Sequence, residues 1–271
     1  MNVGIICARK SSDALISQAV ESAFAQTTVV RYLIPPQHWV SWLWHRISER
    51  GFFTLLGLLS LSAYLRLERL LDRVRGRNLW SIVDRTSPRW SDVKAPVYNF
   101  FSERALINKL SECDIIISLD AIRLSHRFYR KTKARFFQIV WGEVPDAMGD
   151  SGAFWKYAVE HPEYVSVSLI ERLDEKGSIV THERVFVPVS DHETLRTIKI
   201  KQADALAEEL PRIIKEAEVI NPKTAQKKQR TCAHYYPPTL FTYLAFLRTG
   251  KITILPKYAV RKKACTIYIP L

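Results

Sequence analysis

The first 34 residues set the strongest limit on what this chain can fold into. Asn2–Cys7 (NVGIIC) is a short apolar run that reads as a buried strand. Ser11-Ser12-Asp13 supplies candidate N-caps for a helix over Ala14–Phe24. Thr28–Ile34, rich in β-branched residues and stopped by Pro35-Pro36, reads as a second strand. Strand, helix and strand at this length predict a βαβ unit, and therefore a parallel sheet. Ala95–Phe101, Cys113–Leu119 (CDIIISL, the clearest buried strand) and Phe136–Val140 supply further strands. The expected fold class is α/β, a mostly parallel sheet with flanking helices. No G-x-G-x-x-G follows the first strand, so nothing supports a dinucleotide fingerprint.

Composition narrows the partners. With 271 residues, 47% hydrophobic and 25% charged, the chain is an ordinary globular protein able to bury a sizeable core. Its net charge of +13 favours anionic partners: nucleic acid, nucleotide-linked substrates or an anionic membrane face. Cys7, Cys113, Cys232 and Cys265 are widely spaced, so no zinc site or disulfide framework is expected. Cys7 and Cys113 read as small buried hydrophobes. The apolar run at the N-terminus is too short for a signal peptide, and a reducing cytoplasmic setting is expected.

The segment 38–77 reads as a basic, apolar, helical insertion in two stretches broken near Gly51. Its run Phe52–Leu65 is almost wholly apolar between Arg50 and Arg66, but at 14 residues falls short of a bilayer span, which takes roughly 20. Two readings stand. One is an interfacial anchor, with Trp42 and Trp44 at headgroup depth and arginines facing anionic lipid. The other is a crossover helix packed on the sheet with its basic residues outward.

After Phe136–Val140 comes the loop Trp141–Ser151, then a helix near Phe154–Val159 ended by His161-Pro162. Tyr164–Glu171 and Ile179–Val187 alternate apolar and polar residues and read as an antiparallel pair. From Asp191, read as its cap, an amphipathic helix runs to about Glu216 with Leu195, Ile198, Ala203, Leu206, Leu210 and Ile213 inward. Asn221–Thr231 is polar and basic and reads as linker. The organisation expected is a domain over 1–218, a linker over 219–231 and a small extension over 232–271.

The order of features in Phe136–Val180 resembles the catalytic region of the formyltransferase family. Val144-Pro145 stands for that family's Leu-Pro, Gly149 for its loop glycine and Phe154-Trp155 for its helix pair. Val165-Ser166-Val167-Ser168 stands where the family has Val-Thr-Ile-His. The resemblance implies a Rossmann-like domain, 10-formyltetrahydrofolate as formyl donor and an amine as acceptor. The leucine- and arginine-rich insertion and the C-terminal tail are similar to those of sugar-modifying relatives. A sugar-nucleotide amine of surface polysaccharide synthesis is then the implied acceptor, ahead of nucleic acid. Ile122 and Leu124 match the loop that packs on the folate pterin.

The family's Asn, His and Asp fall at Gln138, Val140 and Glu175. Formyl transfer needs a proton acceptor and an oxyanion donor, each worth about 10²-fold or more in rate. Gln138 offers an amide one methylene too long, Glu175 a displaced carboxylate and Val140 no polar atom. Glu143, inside the loop, is the candidate replacement acid or base beside the plainer reading of a solvated carboxylate. His161, His182 and His192 read as surface histidines. Two functions remain open: a divergent formyltransferase, or a catalytically inactive homologue that binds a ligand or partner.

Overall fold

The computed structural model describes residues 1–8, 11–33, 48, 52–74, 93–119, 124–173, 178–219 and 226–269. The opening forms as expected: β1 (Asn2–Cys7), α1 (Ser11–Ala23) and β2 (Gln26–Tyr32), with β1 and β2 parallel. Ser11-Ser12-Asp13 form the first turn of α1 rather than preceding it. The buried Asp13 carboxylate turns back to accept the Ala8 N–H at 3.2 Å. β3 (Tyr98–Phe100), β4 (Ile115–Ser118) and β5 (Arg135–Val140) complete the parallel part, in the order β3-β2-β1-β4-β5.

Two layers cover it. α3 (Glu103–Leu110) starts at Ser102, whose hydroxyl accepts the Ala105 N–H at 3.2 Å, as an N-cap should. Beside α3 lies α4 (His126–Thr132), and their Leu106, Leu110 and Phe128 pack on Ile6, Ile116 and Phe136. On the opposite face α1 and α6 (Leu195–Val219) pack Ile16, Val20, Leu206, Leu210 and Ile213 against Val3, Ile5, Ile117 and Phe137. Alternation along each strand feeds both layers, which is why β1 and β4 are apolar throughout. The cap of α6 is Thr194, not Asp191: its hydroxyl accepts the Thr197 N–H at 3.1 Å. Cys7 and Cys113 are buried in these layers, and burial, with Asp114 and Glu112 nearby, pushes the Cys113 thiol up to about 11.

The second half reverses direction. Past α5 (Gly152–Glu160), β6 (Tyr164–Arg172) runs antiparallel to β5 and β7 (Ile179–Pro188) antiparallel to β6. The stretch expected to be linker up to Thr231 enters strand β8 (Gln226–Tyr235) instead. β8 pairs antiparallel with β9 (Val260–Ile269), and β9 pairs with β7, giving one nine-stranded sheet. β8 shows no apolar alternation in the sequence, and its pairing runs along a full backbone ladder with β9. The expectation of no disulfide is also corrected. Cys232 and Cys265 are joined across β8 and β9, on strands that 33 residues of separation had hidden.

Between the paired strands lies α7 (Leu240–Thr249), with α2 (Phe52–Val74) beside it. Gly57 fits under Thr239, where a β-carbon would come within 2.8 Å, and Tyr64 meets Tyr243 edge-on at 6.1 Å. Leu61, Tyr64 and Leu65 thus join Phe154, Trp155 and Phe246 in one cluster. The inner stripe packs on α7, where the crossover reading expected the sheet, and the outer stripe, expected to be basic, is largely apolar and exposed. The other half of the expected insertion, with Trp42 and Trp44, lies outside the described residues.

Candidate functional site at the exit of strand β5

β5 places Phe136, Gln138 and Val140 on one face of the sheet and Phe137, Ile139 and Trp141 on the other, and burial on both sides holds the strand rigid. On the first face the Gln138 amide oxygen accepts the Nε–H of Arg172 across β6. Gln138 is 4% exposed, so this amide is held by its neighbour and not presented to solvent. Two residues on, Val140 is buried among Val144, Met148, Ile170, Ile179, Cys232 and Ile267.

The loop Trp141–Ser151 turns tightly around its own carbonyls. The Ala147 N–H donates to Glu143 O at 2.7 Å, and Ala153 N–H to Trp141 O at 3.2 Å. Ser168, paired opposite Val140, donates its hydroxyl to Gly142 O at 2.8 Å. Where the family resemblance implies a histidine, this chain thus uses a short hydroxyl to hold the loop.

The C-terminal strands close over this exit. Met148 N–H donates to Ala233 O at 2.9 Å, Ala233 N–H to Pro145 O at 2.9 Å and Tyr235 N–H to Met148 O at 2.7 Å. The indole N–H of Trp155 donates to Tyr236 O at 2.6 Å. Gly149 has φ +101°, and a β-carbon there would lie 2.5 Å from Tyr235 O, so only glycine suits both the turn and the close approach. Backbone groups that a ligand would use in an open loop are spent on β8.

Glu143 is neither a solvated carboxylate nor an unpaired one. It forms ion pairs with Lys156 and with Arg184, the latter at 2.6 Å, while Arg184 also donates to Val144 O at 2.6 Å. Both of its oxygens are thus engaged by side chains of the fold. Glu143 lines a cleft of about 330 Å³ with Asp146, Trp155, Lys156, Glu160 and Tyr235. Burial, with Glu160 and Asp146 nearby, raises the Tyr235 phenol above its ordinary pKa. The cleft therefore favours a cationic group over an anionic one.

Of the other expected site residues, Leu124 is buried with Leu106 and Phe128 and places its side chain in the core. Ile122 and Glu175 lie outside the described residues. His161 and His192 line a second cleft of about 380 Å³ with Tyr157, Glu193 and Lys251.

His182 corrects the reading of three surface histidines. Its side chain is buried on the opposite face of the sheet, with Nε2 at 2.9 Å from Glu171. Arg135 clasps the same carboxylate at 2.7 and 2.9 Å and reaches Ala217 O at the end of α6. Burial pushes the Glu171 pKa up, but the hydrogen bonds and charges of Arg135 and His182 outweigh it and hold it below the ordinary value. A signal for this network was present: Glu171 continues the apolar phase of Val165, Val167 and Leu169, so alternation alone puts a carboxylate indoors.

The fold and this loop define an α/β protein with a Rossmann-like parallel half and a closing half that is antiparallel except where β7 meets β9. No family model matches the chain, and no curated protein matches it. Among solved structures it is similar to a sugar N-formyltransferase from Shewanella sp. FDAARGOS_354, with 12% identity over 80% of this chain and 71% of that one, and a TM-score of 0.46. It is also similar to phosphoribosylglycinamide formyltransferases from Streptococcus pneumoniae TIGR4 (13% identity, 81% and 100% covered, TM-score 0.47) and Anaplasma phagocytophilum (13%, 82% and 89%, 0.49). At such identities none of these likenesses carries a residue's role into this chain.

Proposed function

We propose that this protein is a formyltransferase-like binding protein that does not transfer formyl groups at the exit of β5. The observation that carries this reading is Val140, buried against Cys232 and Ile267 where the chemistry would need a proton acceptor. The donor implied by the sequence resemblance, 10-formyltetrahydrofolate, does not fit this position as built. Its formyl carbon would need space that the closing strands fill, and a donor or base that valine lacks.

The ligand class supported best is a small molecule bearing an amine, such as an amino sugar linked to a nucleotide. The cleft beside the loop is lined by Glu143, Asp146 and Glu160; Glu143 is paired with Lys156 and Arg184, which leaves Asp146 and Glu160 to meet a ligand. An ammonium group entering it gains carboxylate partners, and the basic surface elsewhere suits an attached phosphate.

Incubation with 10-formyltetrahydrofolate and a panel of amino-sugar nucleotides is expected to give no formylated product. Calorimetry on the same panel is expected to detect binding that Glu160→Gln and Asp146→Asn weaken. Turnover that disappears in Glu143→Gln would overturn the reading, and would instead favour a divergent enzyme in which Glu143 moves the proton.

A further inference from the structure

Large exposed apolar side chains are concentrated on one part of this molecule. Phe52, Phe53, Leu56, Leu59 and Leu67 lie on α2, Phe241, Leu244 and Leu247 on α7, and Ile254 just beyond it. Phe53 is 85% exposed, Phe241 80% and Ile254 81%. Phe52, Leu56, Leu59, Ala63 and Leu67 recur at helical spacing and form one outer stripe, while Leu55, Leu61 and Tyr64 point inward. Two helices packed side by side thus turn apolar faces away from the core they share. Contiguous exposure of this kind marks an interaction surface.

The charges on this surface identify what covers it. Among the described side chains, the exposed ionised ones of the two helices are Arg66 and Arg248, followed by Lys251, all positive. α7 carries no acidic residue, and Glu68 of α2 is bound to Arg196 at 3.1 Å. A second copy of the chain would set like charges against each other across the contact, which disfavours it. Among the described residues no helix is long and apolar enough to cross a membrane. Aromatic and leucine side chains flanked by cations, on two helices in contact, suit the headgroup region of an anionic bilayer.

We infer that the α2–α7 face docks on an anionic lipid surface, with Phe53, Phe241 and Ile254 inserted and Arg66, Arg248 and Lys251 on the headgroups. This inference is independent of the reading of the β5 exit. Co-sedimentation of the full chain with phosphatidylcholine vesicles, with and without phosphatidylserine, at low and high salt, tests it. Binding is expected only with phosphatidylserine and to weaken with salt. Phe53→Ser with Phe241→Ser should reduce it at least about tenfold, and Arg66→Gln and Arg248→Gln roughly fivefold each. Phe186→Ser, at an exposed apolar residue elsewhere, should leave it unchanged. These sites are on the surface, so the variants should melt like the parent. No binding to phosphatidylserine vesicles, equal loss in Phe186→Ser, or a stable dimer in solution that the double phenylalanine variant dissociates would each overturn the inference.

Discussion

The two faces of the β5–β6 ribbon differ in kind, one apolar and one charged. The face leading to the loop is apolar from Val140 to Ile170 and covered by Cys232 and Ile267. The face under α6, where a core would be expected, holds the Glu171–Arg135 ion pair, with His182 hydrogen-bonded to the same carboxylate. Buried charge in this molecule therefore serves the joining of sheet and helix, since Arg135 also binds Ala217 O. The loop face is a seat for the chain's own C-terminal strands.

The contrast can be broken from either side. Glu171→Gln should have the largest effect, about 3–5 kcal/mol in urea unfolding, because Arg135 and His182 lose the carboxylate they share. Its acid dependence has a fixed sign. The native pKa of Glu171 lies below the ordinary value, so its stabilisation is full above the unfolded carboxylate value of about 4.3 and is lost as pH falls through the native one. The variant should therefore lose less stability on acidification than the parent, and an unchanged acid limb would remove the network from the account.

On the loop face, Cys232→Ser with Cys265→Ser should cost about 2–4 kcal/mol, since the cross-link closes a long segment of the unfolded chain. A thermal melt of the parent with and without reductant checks this, and the double variant should be indifferent to reductant. Glu143→Gln should have the smallest effect, below about 1 kcal/mol, because its ion pairs with Lys156 and Arg184 are partly open to solvent. A cost as large as that of Glu171→Gln would mean that the two faces are not different in kind.

The parallel half was legible because a buried strand must be apolar on both faces, and β1, β4 and β5 show this in any window of the sequence. α6 was legible for the same reason at helical spacing, with Leu206, Leu210 and Ile213 inward. The closing half was harder to read. β8 opens as QKKQRT, polar residues whose pairing with β9 depends on backbone groups that every sequence has. The site followed the same division. The strand holding Gln138 and Val140 and the loop holding Glu143 could be read from the apolar run and its Gly/Pro-bounded end. Lys156 and Arg184 belong to elements 13 and 41 residues away, a proximity that only the fold creates.

Amide hydrogen exchange at Met148 and Tyr235 tests the central claim most directly, because their N–H groups join the β5 loop to β8. If the exit of β5 is closed by the chain itself, both amides should exchange as slowly as those paired between β8 and β9. Exchange at the rate of an open surface loop, with β8 and β9 still protected, would show the exit to be accessible and contradict the account.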